Sequence, residues 1–589
     1  MNINPQALQR VVLRDGTSAK WLEFKSPCKV ISTNRVEEVI SHVRQVEKAT
    51  WKDGLYAAGF ISYEASPAFD PSLRVKDDGE FPILWYGLFE KVSEITVLPE
   101  FEGSAPDVSW QTPVKSEEYL RYLRAIREFI RNGDTYQVNF TYRMMARTDV
   151  DPWTLFLAIA GFDDAPFAAF LETDDWAVCS FSPELFLRID GERIESRPMK
   201  GTAARGLWFE DDQEKAALLR SSEKERAENV MIVDMVRNDL GRIALSGSVH
   251  VPSLFEVEKY PTVWQMTSTV CARTHEGLDR ILEATFPPAS ITGAPKCRTM
   301  DIITELESSP RRIYTGTIGF VIPGHRAQFN VAIRTILFHK STGNAEYGVG
   351  GGIVWDSKPY AEYQECLTKT RVLKPTARNF DLIETILWSP QNGFSLMGYH
   401  MKRLAQSAVY FGFQVDLKKI HDELTNVASG LSSGASRLRL LVSRHGKIRC
   451  EAIPIESTSM PFGHVVLARN PIDNRDVFLY HKTTRRGVYE DALRMSPGSN
   501  DVLLFNEYNQ ITESTIANVA VEIGDVLYTP PLHCGLLSGT QRAWMLDHGQ
   551  LQERSISVQE ALLCSNVYLL NSVRGMHKVQ IHTLEEFEM

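Results

Sequence analysis

Two periods of apolar spacing alternate along the first half of the chain. Runs of apolar residues over Ala58–Tyr63, Tyr136–Arg143 and Tyr314–Val321 predict strands, and apolar positions three and four apart over Glu117–Arg131 and Glu223–Asn238 predict amphipathic helices. Tyr360–Val372 also has helical spacing and sets Glu362, Glu365 and Lys369 on one face. The pattern then breaks at Leu373-Lys374-Pro375, and Phe380-Asp381-Leu382-Ile383-Glu384-Thr385 reads as a new strand. Strands and helices without strict alternation predict an α+β class, not a doubly wound parallel sheet.

That break suits the length. A chain of 589 residues exceeds one domain of roughly 100–200 residues, so a first domain over 1–373 and a second over 379–589 are expected, with no internal repeat and no long linker. Composition, 43% hydrophobic and 23% charged, excludes disorder, and a formal charge of −10 argues against a nucleic-acid surface while leaving small anions as ligands. The eight cysteines form no CxxC pair and show no ligand-like spacing with histidine, which predicts a reduced, cytoplasmic protein without structural zinc. Met1–Gln6 lacks a signal pattern and no segment approaches a membrane span, so no export and no membrane contact are expected.

Four side chains stand out chemically: Glu228, Glu365, Lys200 and Arg334. Glu228 lies in Ala227–Met235, a helical stretch apolar almost all round, where a buried carboxylate needs a cation. Two carboxylates from distant helices could share one Mg²⁺; the alternative is that each is salt-bridged or solvated. Gly348–Gly352 lacks the lysine and hydroxyl of a phosphate loop, which disfavours a nucleoside-triphosphate site.

Longer motifs run through the first half in a fixed order. They are Gly133-Asp134-Thr135-Tyr136-Gln137-Val138-Asn139, Ser182-Pro183-Glu184, Pro198-Met199-Lys200-Gly201-Thr202, Met231–Asp239, Ser290–Lys296, Ala332–Thr335 and Gly350–Val354. With them this half resembles the chorismate-utilising enzymes, which implies an α/β sandwich like that of anthranilate synthase component I. Lys200 selects the aminodeoxychorismate-forming branch, because the anthranilate-forming branch has a small residue there. The resemblance implies that Glu228 and Glu365 hold Mg²⁺ against the ring carboxylate, with Lys369 near the metal. It implies that Arg334 and the backbone of Gly350 and Gly351 bind the enolpyruvyl carboxylate, and that Thr292 and Gly293 lie beside the ring. Glu184 matches the general acid for the C4 hydroxyl, and Lys200 the amine that adds at C2, for which it must be neutral. Ammonia then enters at C4 to give 4-amino-4-deoxychorismate. One departure is Gln265, where many relatives place a histidine near the leaving hydroxyl; glutamine bonds but carries no charge. No cysteine has a Gly-x-Cys-x-Gly setting, so a separate glutaminase subunit is the implied ammonia source.

His400–Leu404, Tyr480–Arg485, Thr512–Asn518 and Gly535–Arg542 give the second half a resemblance to the fold-type IV pyridoxal phosphate enzymes, an α+β fold. It implies that Lys482 holds the cofactor covalently, that Glu513 keeps the pyridine nitrogen protonated, and that Arg403 with Gly539-Thr540 cradles the phosphate. Thr385 and Asn518 match pocket-lining positions. The half starts close to Phe380, without the leading strands usual for stand-alone members. Fusion to an aminodeoxychorismate-forming half implies a lyase that splits off pyruvate to leave 4-aminobenzoate, with Lys482 also moving the proton. An aminotransferase consuming a 2-oxo acid and a non-catalytic scaffold for the glutaminase are the alternatives, and a homodimer through this half is allowed.

Overall fold

The computed structural model describes residues 8–99, 101, 106–161, 164–373, 380–431, 434–455, 462 and 464–583. The predicted break over Lys374–Asn379 and the start Met1–Gln6 lie outside them. The chain divides into two compact units, 1–205 with 215–378, and 206–214 with 379–589. Residues 206–214, expected by sequence position in the first domain, thus pack inside the second unit. Apolar Leu207 and Trp208 draw them there, joining a cluster around Leu479 and Tyr480. The Trp208 and Tyr480 rings are 5.4 Å apart, and the Tyr410 hydroxyl donates to the Gly206 carbonyl at 2.7 Å.

In the first unit, period-two patterning builds two antiparallel sheets of nine and ten strands. Val11 and Leu13 of the strand Leu8–Arg14 point one way and meet Phe60, Trp85 and Phe320 of the other sheet. Val12 points the other way, into a cluster with Tyr119, Leu123 and Ile126 of the helix Ser116–Arg131. The second sheet mirrors this. Ala58 and Phe60 of Tyr56–Ile61 face inward, and Ala57 and Ile61 meet Ile232, Val233 and Val236 of the helix Glu223–Gly241. The layers run helix, sheet, sheet, helix, and each large side chain sealed between them contributes about 1.5–3 kcal/mol relative to exposure.

Three expectations shift in detail. The strand predicted from Tyr314 begins at Thr317, because Thr315 takes a left-handed φ of 63° that breaks extension. The helix predicted over Tyr360–Val372 is α-helical over Pro359–Lys369 and tightens to 3₁₀ over Thr370–Leu373. The helix carrying Glu228 is one-faced and not apolar all round: Ile232, Val233 and Val236 are buried, whereas Val230 is exposed.

In the second unit the predicted strand appears as Leu382–Ser389, inside a four-stranded antiparallel sheet with Ser436–Val442 and Ile448–Pro454. One face packs Leu382, Ile386, Leu438, Leu440 and Val442 on Leu404, Ala408, Ile420 and Leu424 of the helices Met397–Phe411 and Leu417–Ser429. A second, nine-stranded sheet is mixed, with Val465–Leu467 parallel to both Asp501–Phe505 and Ile581–His582. No described helix is long and apolar enough to cross a membrane.

Candidate active sites

A cleft opens in the first unit, and most first-half candidates meet in it: Glu184, Lys200, Glu228, Arg334, Gly350, Gly351, Glu365 and Lys369. Glu184 follows the fully buried strand Trp176–Ser182, and Ser182 fixes the turn by accepting from the Glu184 amide at 3.2 Å. The carboxylate accepts from Ser290 Oγ at 2.6 Å. Burial pushes its acid up to about 7, against the opposing pull of Ser290, the Met199 amide and the lysines. An acid near neutrality is the state a proton donor needs.

Lys200 sits on the strand Met199–Ala204, where the Asn229 amide donates to its carbonyl at 3.2 Å. Gln265 donates to Gly201 O at 2.8 Å and accepts from Thr202 Oγ1 at 3.1 Å. Gln265 therefore braces the strand that presents Lys200. The side chain of Lys200 reaches over Gly352, where a Cβ would lie 2.7 Å from Nζ and oblige the amine to shift. Lys200 was expected as a neutral amine, yet its Nζ lies 3.2 Å from Glu228 Oε2, an ion pair.

Both expected metal ligands are paired with lysines: Glu228 also faces Lys224 at 3.7 Å, and Glu365 faces Lys369 at 3.0 Å. Lys369 holds the Glu365 carboxyl below its usual range. Glu225 and Glu362 line the same cleft; burial raises both, and so does repulsion from Glu228 and Glu365 on the former and from Glu365 on the latter. Among the described residues no three His, Cys, Asp or Glu form a ready ligand group. Carboxylate oxygens that repel one another in one cleft nonetheless fit a hard cation that keeps several waters.

Arg334 adopts a left-handed φ of 51°, the kind of strain retained at working sites, and its guanidinium lies 5.7 Å from the Tyr260 ring centre. Gly350 and Gly351 lie on the strand Asn344–Ile353, paired with Gln137–Arg147 along one edge. On the other edge Thr335–His339 stops opposite Tyr347, which leaves the glycine stretch facing the cleft. Thr292 and Gly293 are not among the residues that line the cleft: Thr292 is buried with its hydroxyl toward the Pro288 and Ala289 carbonyls, Gly293 pairs with Val138, and Ser290 and Ile291 of the same motif line it.

In the second unit a pocket gathers Thr385, Arg403, Lys482, Glu513, Asn518, Gly539 and Thr540. Burial and the nearby Arg403 lower the Lys482 amine to about 8. Burial raises the Glu513 acid to about 7, while Tyr489 OH at 2.7 Å, the Leu537 amide at 3.1 Å and Asn518 Nδ2 at 3.1 Å donate to it. Gly539 N-caps the helix Thr540–Asp547 without a side-chain cap; its own N–H donates to Leu537 O at 2.8 Å, and a Cβ there would strike Asn518 Oδ1 at 1.8 Å, so the helix start presents its first-turn N–H groups with no side chain over them. Arg403, expected to cradle phosphate, already gives Nε and Nη2 to Glu384 at 2.9 and 2.7 Å and Nη1 to Ser538 O at 3.1 Å. Two of its five N–H donors remain for a phosphate. A lysine, an acid and a helix-capping turn in one pocket fit pyridoxal phosphate.

Sequence reading missed Ser290 and Glu384. Glu384 is fully buried beneath Arg403 and His400, whose Nδ1 lies at 2.6 Å. Burial alone would raise its carboxyl, but Arg403 and His400 outweigh it and hold it at about 2. The signal was present: His400 and Arg403 are three apart on a helix and so share a face.

Residues 95–375 match the chorismate binding enzyme family and residues 381–581 match amino-transferase class IV. The chain is 43% identical over 268 residues to aminodeoxychorismate synthase component 1 of Escherichia coli (strain K12), which covers 45% of the chain and 59% of that relative. It is 43% identical over 261 residues to the probable chloroplastic aminodeoxychorismate synthase of Oryza sativa subsp. japonica, covering 43% of the chain and 29% of that protein. The chain thus spans less than two thirds of the length of either relative. In fold, it superposes on anthranilate synthase component I from Streptococcus pneumoniae TIGR4 with a TM-score of 0.53 at 23% identity, over 62% of the chain and 92% of that structure.

Proposed function

We propose, for a chain that joins a region of the chorismate binding enzyme family to a region of amino-transferase class IV, that it makes 4-aminobenzoate, a folate precursor. The first unit would convert chorismate and ammonia to 4-amino-4-deoxychorismate, and the second would eliminate pyruvate. The observation that carries this reading is the single cleft that holds Glu184, Lys200, Arg334 and the carboxylates Glu228 and Glu365. The relatives named aminodeoxychorismate synthase support it.

Arg334 and the open edge at Gly350 and Gly351 bind the enolpyruvyl carboxylate. Glu184 gives its proton to the C4 hydroxyl oxygen, which leaves as water while the Lys200 nitrogen bonds C2 and the ring double bonds shift. Ammonia then bonds C4 as the C2–N bond breaks, which restores the free lysine. Mg²⁺ held by Glu228 and Glu365 would supply positive charge against the ring carboxylate. In the second unit, pyridoxal phosphate supplies an electron sink for the carbon bearing the amine. Lys482, with its amine near neutrality, moves the proton at substrate C4, and cleavage of the C3–O bond then releases pyruvate. A separate glutaminase would deliver ammonia, and eight free cysteines support a reducing, cytoplasmic setting.

The test incubates the purified chain with chorismate, ammonium, Mg²⁺ and pyridoxal phosphate and follows the aromatic product. Lys482→Ala should accumulate 4-amino-4-deoxychorismate, and an added independent lyase should restore 4-aminobenzoate. If the variant still forms 4-aminobenzoate at the parent rate, the second unit is not the lyase.

A further inference from the structure

Lys482 is held on its two sides by very different parts of the chain. On the C-terminal side its own half fixes it: the Ile383 amide donates to the Lys482 carbonyl at 2.9 Å, and Thr483 bridges to Leu382. On the N-terminal side stand Tyr480 and His481, both buried. The Trp208 ring lies 5.4 Å from that of Tyr480, whose hydroxyl donates to Asn474 O at 2.6 Å. The Tyr410 ring lies 4.4 Å from that of His481, and the Tyr410 hydroxyl donates to Gly206 O at 2.7 Å. Residues 206–214, which pack inside the second unit, thus support both residues that lead into Lys482, one directly and one through Tyr410. The segment is closed on itself. Asp212 Oδ1 accepts from the Gly206 amide at 2.9 Å, Asp211 Oδ2 accepts from the Leu207 amide at 2.7 Å, and a Cβ at Gly206 would lie 2.1 Å from the Asp212 nitrogen. Gln406, on the helix that bears Tyr410, adds a bond from Nε2 to Glu210 Oε1 at 2.6 Å.

We infer that Trp208 and Tyr410, with the Gly206 carbonyl, are positioning residues for Lys482, so that the second unit's pocket is completed by a segment drawn from between the strand bearing Lys200 and the helix bearing Glu228. The inference rests on the proposed reading that Lys482 is the reacting lysine. A misplacement of about 1 Å in a reacting group can cost about 10² in rate, and a side chain is held no better than the shell behind it. Here that shell is a tryptophan ring on Tyr480 and a tyrosine ring on His481. Burial and then Arg403 lower the amine to about 8; Arg486 adds to that effect, and Glu384 and Glu513 oppose it. None of these four charges lies on residues 206–214. A change in the amine when the segment is altered therefore reports how well the lysine is enclosed.

The probe is pyridoxal phosphate, titrated into the cofactor-stripped full chain and read by its visible absorbance, with the rate of uptake followed against pH. Uptake by a lysine needs the neutral amine, so its pH midpoint reports Lys482. Trp208→Ala should weaken cofactor affinity about tenfold, the size of a lost aromatic pair, and move the midpoint up from about 8 toward the ordinary lysine value of about 10.4. Trp208→Phe, which keeps a ring on Tyr480, should stay within about threefold of the parent and hold the midpoint. Tyr410→Phe, which loses only the hydroxyl bonded to Gly206 O, should fall between the two, and it carries the test if Trp208→Ala fails to fold. Parent affinity and midpoint in both Trp208→Ala and Tyr410→Phe, or in Tyr410→Phe where it stands alone, overturn the inference. So does a Trp208→Phe as impaired as Trp208→Ala. Failure of the underlying reading looks different: if borohydride still fixes the cofactor to the Lys482→Ala chain, another lysine reacts. If fixation is lost there while the Trp208 and Tyr410 variants take up cofactor as the parent does, the positioning role alone is removed.

Discussion

Ser290→Ala should move the pH dependence of the first reaction without removing its acid. Ser290 Oγ donates to the buried Glu184 carboxylate at 2.6 Å, and this bond opposes the burial that places the acid near 7. A hydrogen bond to a charged group contributes about 1.5–3 kcal/mol, and about 1.4 kcal/mol corresponds to one pH unit. The hydroxyl also bonds the protonated form, so part of that cancels and about one pH unit remains. The sign follows from which form is favoured: losing the donor disfavours the carboxylate, so the proton is kept to higher pH. Because the working form is the protonated one, the falling limb of kcat/KM against pH should move up from about 7 by about one pH unit, with the plateau below it nearly unchanged. The assay follows 4-amino-4-deoxychorismate at a fixed concentration of free ammonia, so that ammonium titration does not shape the limb. Glu184→Gln should lower kcat by about 10²–10⁴ and abolish the limb. A limb that stays put or moves to lower pH in Ser290→Ala, or one that survives in Glu184→Gln, would refute the acid role.

Glu228→Gln and Glu365→Gln should each weaken Mg²⁺ binding measured by titration with chorismate present, because a neutral amide replaces a hard anion; unchanged binding in both would dismiss these ligands. Glu384→Gln should destabilise the second unit by about 3–5 kcal/mol at neutral pH, since Arg403 is left buried without its counter-charge. With the Glu384 acid depressed to about 2, that contribution is complete above the ordinary carboxylate range and is lost as pH falls toward 2. Thermal unfolding of parent and variant should therefore show a gap that is constant near neutrality and narrows only in acid.

Much of both sites was legible because their residues sit in short motifs whose local shape is set by turns. Glu184 follows a proline after a buried strand, Gly352 leaves room for Lys200, and Gly539 caps the helix that begins at Thr540. The role of Gln265 was not legible, because its two bonds reach across a strand pairing, to Gly201 and Thr202, that only the sheet register creates. The same holds for Thr292 and Ser290. They are two residues apart in one motif, but Thr292 is buried with its hydroxyl turned to the Pro288 and Ala289 carbonyls, whereas Ser290 lines the cleft. Residues 206–214 escaped for another reason, since the apolar pair Leu207-Trp208 says that the segment is buried but not in which unit.

The pairing of Lys200 with Glu228 carries that limit into the chemistry. From sequence the two have separate roles, a nucleophile and a metal ligand, 28 residues apart. Folded, Glu228 projects from the helix Glu223–Gly241, which packs on the strand carrying Lys200, and the two charges meet at 3.2 Å. The side chain expected to react as a free amine and the one expected to bind a cation are therefore counter-ions of each other in the folded chain. The motifs name both residues, but their pairing comes from the packing of that helix on that strand, which spacing along the chain does not state.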